Sequence, residues 1–230
     1  MNKFVRLNVT AEGRSEEQFI KNVLSTHLGK YNISTDVRCV LTSKDKNKSH
    51  RGGLISYAKA KKDIQTWMKE DKNQNVFFTT MFDLFSLPED FPSFHKCKEI
   101  SDPYEKIECL ENALKKDIND YRFIPYIQLH EFETFLFVNI EMLKLEYFDH
   151  KYSSAIKSLL RISDEIENPE LINDGDDTSP SKRIIKVIPE FEHNKISVGA
   201  AITEIIGIDN LISHCQHFKS WIEKLEKLSM

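Results

Sequence analysis

The sequence predicts an α/β fold: a mainly parallel four-stranded sheet flanked by helices, followed by a helical C-terminal portion. Three observations carry this. Short apolar alternations or runs occur near residues 4–9, 32–41, 75–83 and 122–130. Stretches with helical apolar spacing separate them. Beyond about residue 140 the spacing is helical almost throughout. The α/β core is expected within residues 1–138 and the helical portion within 139–230, packed onto it.

Each element has its own justification. Val5, Leu7 and Val9 alternate as in a half-buried strand. Ser15-Glu16-Glu17-Gln18 reads as a capping box with Ser15 as N-cap, which places Glu16 and Glu17 in the first helical turn. Phe19, Ile20, Val23, Leu24 and Leu28 then share one face, and Gly29 ends the helix. Residues 32–41 read as a second strand and 42–53 as a polar, basic loop ending in two glycines. A helix is expected over about 54–71, with Leu54, Ala58, Ile64, Trp67 and Met68 inward.

The run "NVFFTTMFD" (75–83) carries no charge before Asp83, as expected of a central strand covered on both faces. Residues 84–101, with Pro88 and Pro92, read as an irregular loop. Asp102-Pro103 opens the next helix, with Asp as N-cap and Pro at N1. "RFIPYIQLH" (122–130) is the fourth strand, with Pro125 marking a bulge or an edge. "EFETFLF" (131–137) turns into a helix. Phe218, Trp221, Ile222, Leu225 and Leu228 mark an amphipathic final helix.

Composition narrows the function classes. The 230 residues are 40% hydrophobic and 30% charged, which suits a globular core rather than disorder. The net charge of −4 advertises no global attraction to nucleic acid. No run of 18 apolar residues is present, so no membrane span is expected. The N-terminus has no signal-peptide pattern. The four cysteines, Cys39, Cys97, Cys109 and Cys215, form no CxxC pair. Free thiols in a reducing cytoplasm are therefore expected. The sequence contains no phosphate-binding GxxxxGK[ST] loop, GxSxG elbow or HExxH helix.

Parallel sheets carry their sites at the carboxyl ends of their strands. That rule selects Glu12 after the first strand, Asp83 at the end of the third, and His130, Glu131 and Glu133 after the fourth. Carboxylates gathered on one edge repel one another. Two unit charges about 4 Å apart cost roughly 1–4 kcal/mol at surface-like dielectrics. Protonation, a basic side chain or a hard divalent cation must offset this.

The glycine-turned "AEGRSE" after the first strand resembles the EGxTE-type motif of the Toprim domain. That domain is the acidic metal-binding fold of topoisomerases, primases and overcoming-lysogeny-defect nucleases. A narrower resemblance runs along nearly the full chain, through "AEGRSEEQFI", "RGGLISYAKAKKDI", "FTTMFDLFSLPEDFP", "RFIPYIQLHEFETFLF", "SPSKRI" and "HFKSWIEKLE". It points to an uncharacterised bacterial family of Toprim-like proteins associated with ATPases and phage defence.

The resemblance implies a Mg²⁺- or Mn²⁺-dependent nuclease acting on DNA or RNA with an ATPase partner. It implies Glu12 as first metal ligand or general base, and Glu16 as a second acidic group. Asp83 matches the first aspartate of a DxD motif, whose second aspartate is Phe85 here. Glu133 or Glu131 supplies the later acidic position, and Lys182 the late lysine that steadies phosphate charge.

Each residue also has a plainer reading. Glu16 and Glu17 favour a helix macrodipole by about 0.3–1 kcal/mol. Asp83 can form an Asx-turn, and His130 can be a buried histidine that is simply hydrogen-bonded. Lys44, Lys46, Lys48 and Arg51 can be a solvated loop or a local nucleic-acid patch. Two alternatives therefore stand beside the nuclease. One is a non-catalytic partner-binding or trigger subunit, favoured by Phe85. The other is a metal-dependent phosphohydrolase acting on small phosphates.

Overall fold

The computed structural model describes residues 3–45, 48–51, 53–172, 175 and 177–230, with the strands between 41 and 51 described by their backbone. The fold is mixed α/β, with a mostly parallel sheet flanked by helices and a helical C-terminal part. The chain forms two compact units. One is Met1–Leu129 with Glu223–Met230, and the other is His130–Ile222.

In the first unit, β1 (Val5–Ala11) leads into α1 (Arg14–Phe19). This helix runs through a π-helical turn (Ile20–Leu24) into α2 (Ser25–Gly29). The start differs from the sequence expectation. Gly13, not Ser15, is the N-cap, and Glu16 stands at N3. The Gly13 N–H donates to Glu16 Oε2 at 2.8 Å, so the glutamate reaches back to close the turn.

The strand β2 (Ile33–Cys39) pairs parallel to β1, with Asn8 opposite Asp36 and Thr10 opposite Arg38. Residues 42–53 are not wholly loop. An antiparallel ribbon forms there from β3 (Leu41–Asp45) and β4 (Lys48–Arg51). Two polar strands that bond each other need no apolar alternation, so periodicity gave no sign of them.

The helix α3 (Tyr57–Glu70) follows, then β5 (Val76–Asp83), which pairs parallel to β1 on the side away from β2. After a single 3₁₀ turn (Leu84–Ser86), α4 (Phe94–Lys98) occupies part of the expected loop. The loop is also productive. Asp90 accepts the Tyr57 N–H (2.9 Å), the Ala58 N–H (3.2 Å) and the Ser56 hydroxyl, so it caps α3 from a distance. A disulfide joins Cys97 to Cys109 of α5 (Pro103–Ile118), with Cα atoms 5.8 Å apart. The expectation of four free thiols fails at this pair; Cys39 and Cys215 are free and buried. The Asp102 cap is as expected, accepting from Tyr104 N–H and Glu105 N–H at 2.9 Å each.

The fourth strand is split at Pro125 into β6 (Phe123–Ile124) and β7 (Ile127–Gln128), both parallel to β5. Proline supplies no N–H, and the ladder lapses around it. Thr80 fills the gap: its Oγ1 donates to the Tyr126 carbonyl at 2.9 Å and accepts the Tyr126 N–H at 3.0 Å. One face of the sheet is covered by α3 and α5. Ile64, Trp67 and Met68 join Ile107, Leu110 and Leu114 over Phe78 and Phe82 in one buried cluster. Full burial of such side chains is worth about 1.5–3 kcal/mol each.

The second unit is helical, as expected beyond residue 140. It contains 3₁₀ segments (Phe132–Val138, Ile140–Leu145), α6 (Ser153–Ile166), α7 (Pro180–Val187), α8 (Phe191–Ile206), α9 (Ile208–His214) and most of α10 (Gln216–Glu226). Phe135 packs edge-on to Phe218, with ring centroids 4.9 Å apart. Among the described residues no single helix is long and apolar enough to cross a membrane.

Candidate functional site

The strand order β2-β1-β5-β6 makes β1 and β5 neighbours whose onward connections leave in opposite directions. This is the switch point at which open α/β sheets hold ligands beyond the strand carboxyl ends. The chain places Glu12 one residue past β1 and Asp83 at the last position of β5. The two are brought together: the Asp83 N–H donates to Glu12 Oε2 at 2.9 Å. The Glu12 backbone is also fixed, by Glu12 N–H to Met81 O (3.0 Å) and Gly53 N–H to Glu12 O (3.1 Å). Both side chains are 8% exposed. Two buried carboxylates on adjacent strand ends are an oxygen donor set suited to a hard cation. Mg²⁺ is typically held by one or two carboxylates, its own waters and substrate phosphate. Among the described residues no group of three or more histidine, cysteine, aspartate or glutamate side chains is placed to hold a metal ion.

Glu16 is also buried, and its Oε2 is engaged by the Gly13 N–H. Its visible role is to hold the turn that follows Glu12. Phe85 is 46% exposed, two residues past Asp83.

The remaining acidic candidates lie in the second unit. Glu131 accepts both the backbone N–H and the hydroxyl of Ser181, the latter at 2.9 Å, at the start of α7. Glu133 is fully buried. Lys195 of α8 stands between them, with Nζ 3.0 Å from Glu133 Oε2 and 3.5 Å from Glu131 Oε2. Burial pushes the Glu133 carboxyl up to about 7; the Lys195 charge opposes this and the Glu131 charge adds to it. His130 adopts a positive φ of 63°, and its Nε2 lies 2.8 Å from the Glu170 carbonyl. A ring nitrogen facing a carbonyl oxygen carries the proton. Lys182 faces Asp177 at 3.6 Å with both side chains well exposed. It is not the lysine beside Glu131 and Glu133. Of the basic patch, Lys46 lies outside the described residues, as do the side chains of Lys44, Lys48 and Arg51.

A model of the family described as "Domain of unknown function (DUF4276)" matches residues 11–226. The chain belongs to this family. No curated protein matches the DUF4276 chain. A solved structure, the C-terminal region of the OLD protein of Xanthomonas campestris pv. campestris, is similar at 15% identity and a TM-score of 0.48, over 97% of this chain and 95% of that one.

Two residues of this DUF4276 chain went unselected in the sequence. Lys195 is one. Its only trace is the spacing to Gly199, four residues on and on the same helical face. A Cβ at Gly199 would stand 3.6 Å from the Phe132 ring and 3.9 Å from Glu133 Oε1, so the glycine faces that buried carboxylate one turn beyond the lysine. Glu170 is the other. It is fully buried and accepts the N–H groups of His217 (2.9 Å) and Phe218 (3.0 Å), capping α10. Its local sequence, "NPELIN", signals only a turn.

Proposed function

We propose that the protein is a Mg²⁺- or Mn²⁺-dependent nuclease with a Toprim-like core, hydrolysing phosphodiester bonds of DNA or RNA. The observation that carries this reading is the Glu12–Asp83 contact at the switch point, reinforced by the resemblance of "AEGRSE" and "FTTMFDLFSLPEDFP" to metal-binding segments. In this reading Glu12 and Asp83 hold the ion. Such an ion, when bound, lowers the pKa of a coordinated water and neutralises phosphate charge. The chain's own part is positional. The Asp83 N–H fixes the Glu12 carboxylate, and Glu16 steadies the glycine turn behind it, which makes Glu16 a positioning residue. Glu131, Glu133, His130 and Lys182 enter as further candidates, each tested by single substitution. Lys44, Lys46, Lys48 and Arg51 are proposed to meet the nucleic-acid backbone. Anti-phage defence beside an ATPase partner completes the reading.

The test is cleavage of plasmid, single-stranded RNA and free nucleotides with Mg²⁺ or Mn²⁺, comparing wild type with Glu12→Gln and Asp83→Asn. Loss of cleavage on the order of 100-fold or more in both variants is expected from removing a charged group that acts in the transition state. Full metal-dependent cleavage by either variant refutes the assignment of that residue. Cleavage confined to free nucleotides would move the reading to a small-phosphate hydrolase.

A second reading, a non-catalytic partner-binding or trigger subunit, is favoured by one observation. An exposed Phe85 stands where the resembled motif carries its second acid. Calorimetry separates the two: no heat with millimolar Mn²⁺ and no cleavage would select the trigger.

A further inference from the structure

Two large apolar side chains stand open at the carboxyl edge of the sheet. Phe85 is 46% exposed and Ile55 is 68% exposed. Their neighbours in sequence go the other way. Leu84 packs against the buried cluster of the first unit, and Leu54 is part of it. Each of these turns therefore sends one apolar side chain inward and presents the next to solvent, where an apolar group gains nothing until something covers it.

Both side chains flank the acidic pair. Phe85 lies two residues past Asp83, so their backbones are at most about 7 Å apart. Ile55 lies two residues past Gly53, whose N–H donates to the Glu12 carbonyl at 3.1 Å, and the Ile55 N–H turns back to the Gly53 carbonyl at 3.2 Å. The two segments are tied to each other. Asp90, on the Phe85 side, accepts the Ser56 hydroxyl (2.9 Å), the Tyr57 N–H (2.9 Å) and the Ala58 N–H (3.2 Å) on the Ile55 side. The ribbon of β3 and β4 leaves from the same edge, between Val40, whose N–H bonds the Ala11 carbonyl at 3.0 Å, and Gly53. Its sequence carries Lys44, Lys48 and Arg51. One edge of the sheet thus offers carboxylates for a cation, an apolar facet with an aromatic ring, and a cationic arm.

A ligand that uses all three has a repeating anionic backbone and planar apolar groups beside it. A single nucleic-acid strand has that make-up. Its bases stack on aromatic side chains whatever their sequence, while its phosphates follow basic groups. In a duplex the base faces are already stacked on one another, and a protein meets phosphates, sugars and base edges. Phe85 gains little from those. We propose that the site takes single-stranded nucleic acid, with an unpaired base stacked on the Phe85 ring and flanked by Ile55. Phe85 is then a specificity-determining residue. The proposal rests on the reading of Glu12 and Asp83 as the metal site for where the scissile phosphate lies.

Fluorescence anisotropy tests it, with the full chain titrated against a labelled single strand, its duplex and an abasic strand of equal length, in DNA and RNA form and without divalent ions. The single strand binds more tightly than the duplex. Phe85→Ala weakens single-strand binding about five- to 150-fold, the equivalent of about 1–3 kcal/mol for a stacked base, and leaves duplex and abasic-strand binding unchanged. Phe85→Trp retains single-strand binding, and its added indole fluorescence is quenched saturably by the single strand and not by the abasic one. Circular dichroism of both variants matches wild type, since the ring is half outside the core. Wild-type single-strand binding by Phe85→Ala, an equal loss on the abasic strand, or a preference for duplex overturns the proposal. So does the lack of saturable binding to any strand, which would leave Phe85 to a protein partner. These titrations hold no divalent ion and so stand apart from the metal assignment. Full metal-dependent cleavage by Glu12→Gln, beside lost single-strand binding by Phe85→Ala, would sink that assignment and leave the stacking platform standing.

Discussion

Replacing Thr80 with valine should destabilise the first unit by about 2–4 kcal/mol, although volume and branching are conserved. Thr80 is fully buried in the central strand β5. Its hydroxyl replaces the ladder bonds that Pro125 interrupts, donating to Tyr126 O and accepting from Tyr126 N. Valine fills the same space but leaves a buried N–H and a buried C=O without these bonds, at about 1–2 kcal/mol each, the lower part of the range for an unsatisfied buried group. That loss is below the usual 5–15 kcal/mol total, so the variant should still fold. Of the two tryptophans, Trp67 lies in the first unit and Trp221 in the second. In a Trp221→Phe background, fluorescence during urea unfolding reports the first unit alone. The midpoint should fall by about 1–2 M for a slope near 2 kcal/mol per molar, with the slope unchanged. Thr80→Ser should recover most of the loss. A Thr80→Val variant within about 0.5 kcal/mol of wild type would refute the bridging role and return the stability of β6 and β7 to packing alone.

Four further outcomes follow from the same structure. Because the folded-state pKa of Glu133, about 7, exceeds its ordinary value of 4.5, folding favours the protonated acid. Its stabilising share is complete below pH 4.5 and is lost as pH rises through 7, on the order of 3 kcal/mol in total. Thermal melts from pH 5 to 8 should therefore show Glu133→Gln gaining on wild type as pH rises; parallel curves would refute this. Asp90→Ala should cost about 0.5–2 kcal/mol by uncapping α3, measured as a lower urea midpoint of the Trp67 signal. Burial pushes the Asp90 carboxyl up, but bonds from Tyr57, Ala58 and Ser56 hold it below the usual range, so the cap is expected to persist in mild acid. Reduction of Cys97–Cys109, or Cys109→Ser, should lower stability by about 2–4 kcal/mol in a melt with and without dithiothreitol. Gly199→Ala should be tolerated and stabilise α8 by up to about 1 kcal/mol, since its Cβ meets only ordinary contacts, whereas Gly199→Leu should lower the melting temperature.

The elements that were legible are those whose burial leaves a period. The alternation of Val5, Leu7 and Val9 and the uncharged run before Asp83 predicted two strands, and the edge rule then selected Glu12 and Asp83; that the two strands are neighbours came only with the fold. Their contact could not be read directly, because the register of β1 against β5 depends on packing 70 residues apart in sequence. Pro125 announced an interruption, but not the threonine on the next strand that repairs it. The ribbon at residues 41–51 has no apolar face to betray it. The Ser15 reading failed because two overlapping capping patterns fit the same residues, and glycine at position 13 allowed the earlier start. Lys195 went unseen for a different reason: one lysine among many on a helix carries no mark until the helix is placed.

The loop after Asp83 is held twice, by Asp90, which caps the head of α3, and by the disulfide from Cys97 to Cys109 of α5. Phe85 therefore stands on a short span with both ends fastened. Its ring is 46% exposed, so part of it faces whatever meets this loop. Any molecule approaching the Glu12–Asp83 pair along this loop meets an apolar facet close in sequence to a charged one. Such a surface would sort its visitors by whether they carry an apolar part to lay next to the charge.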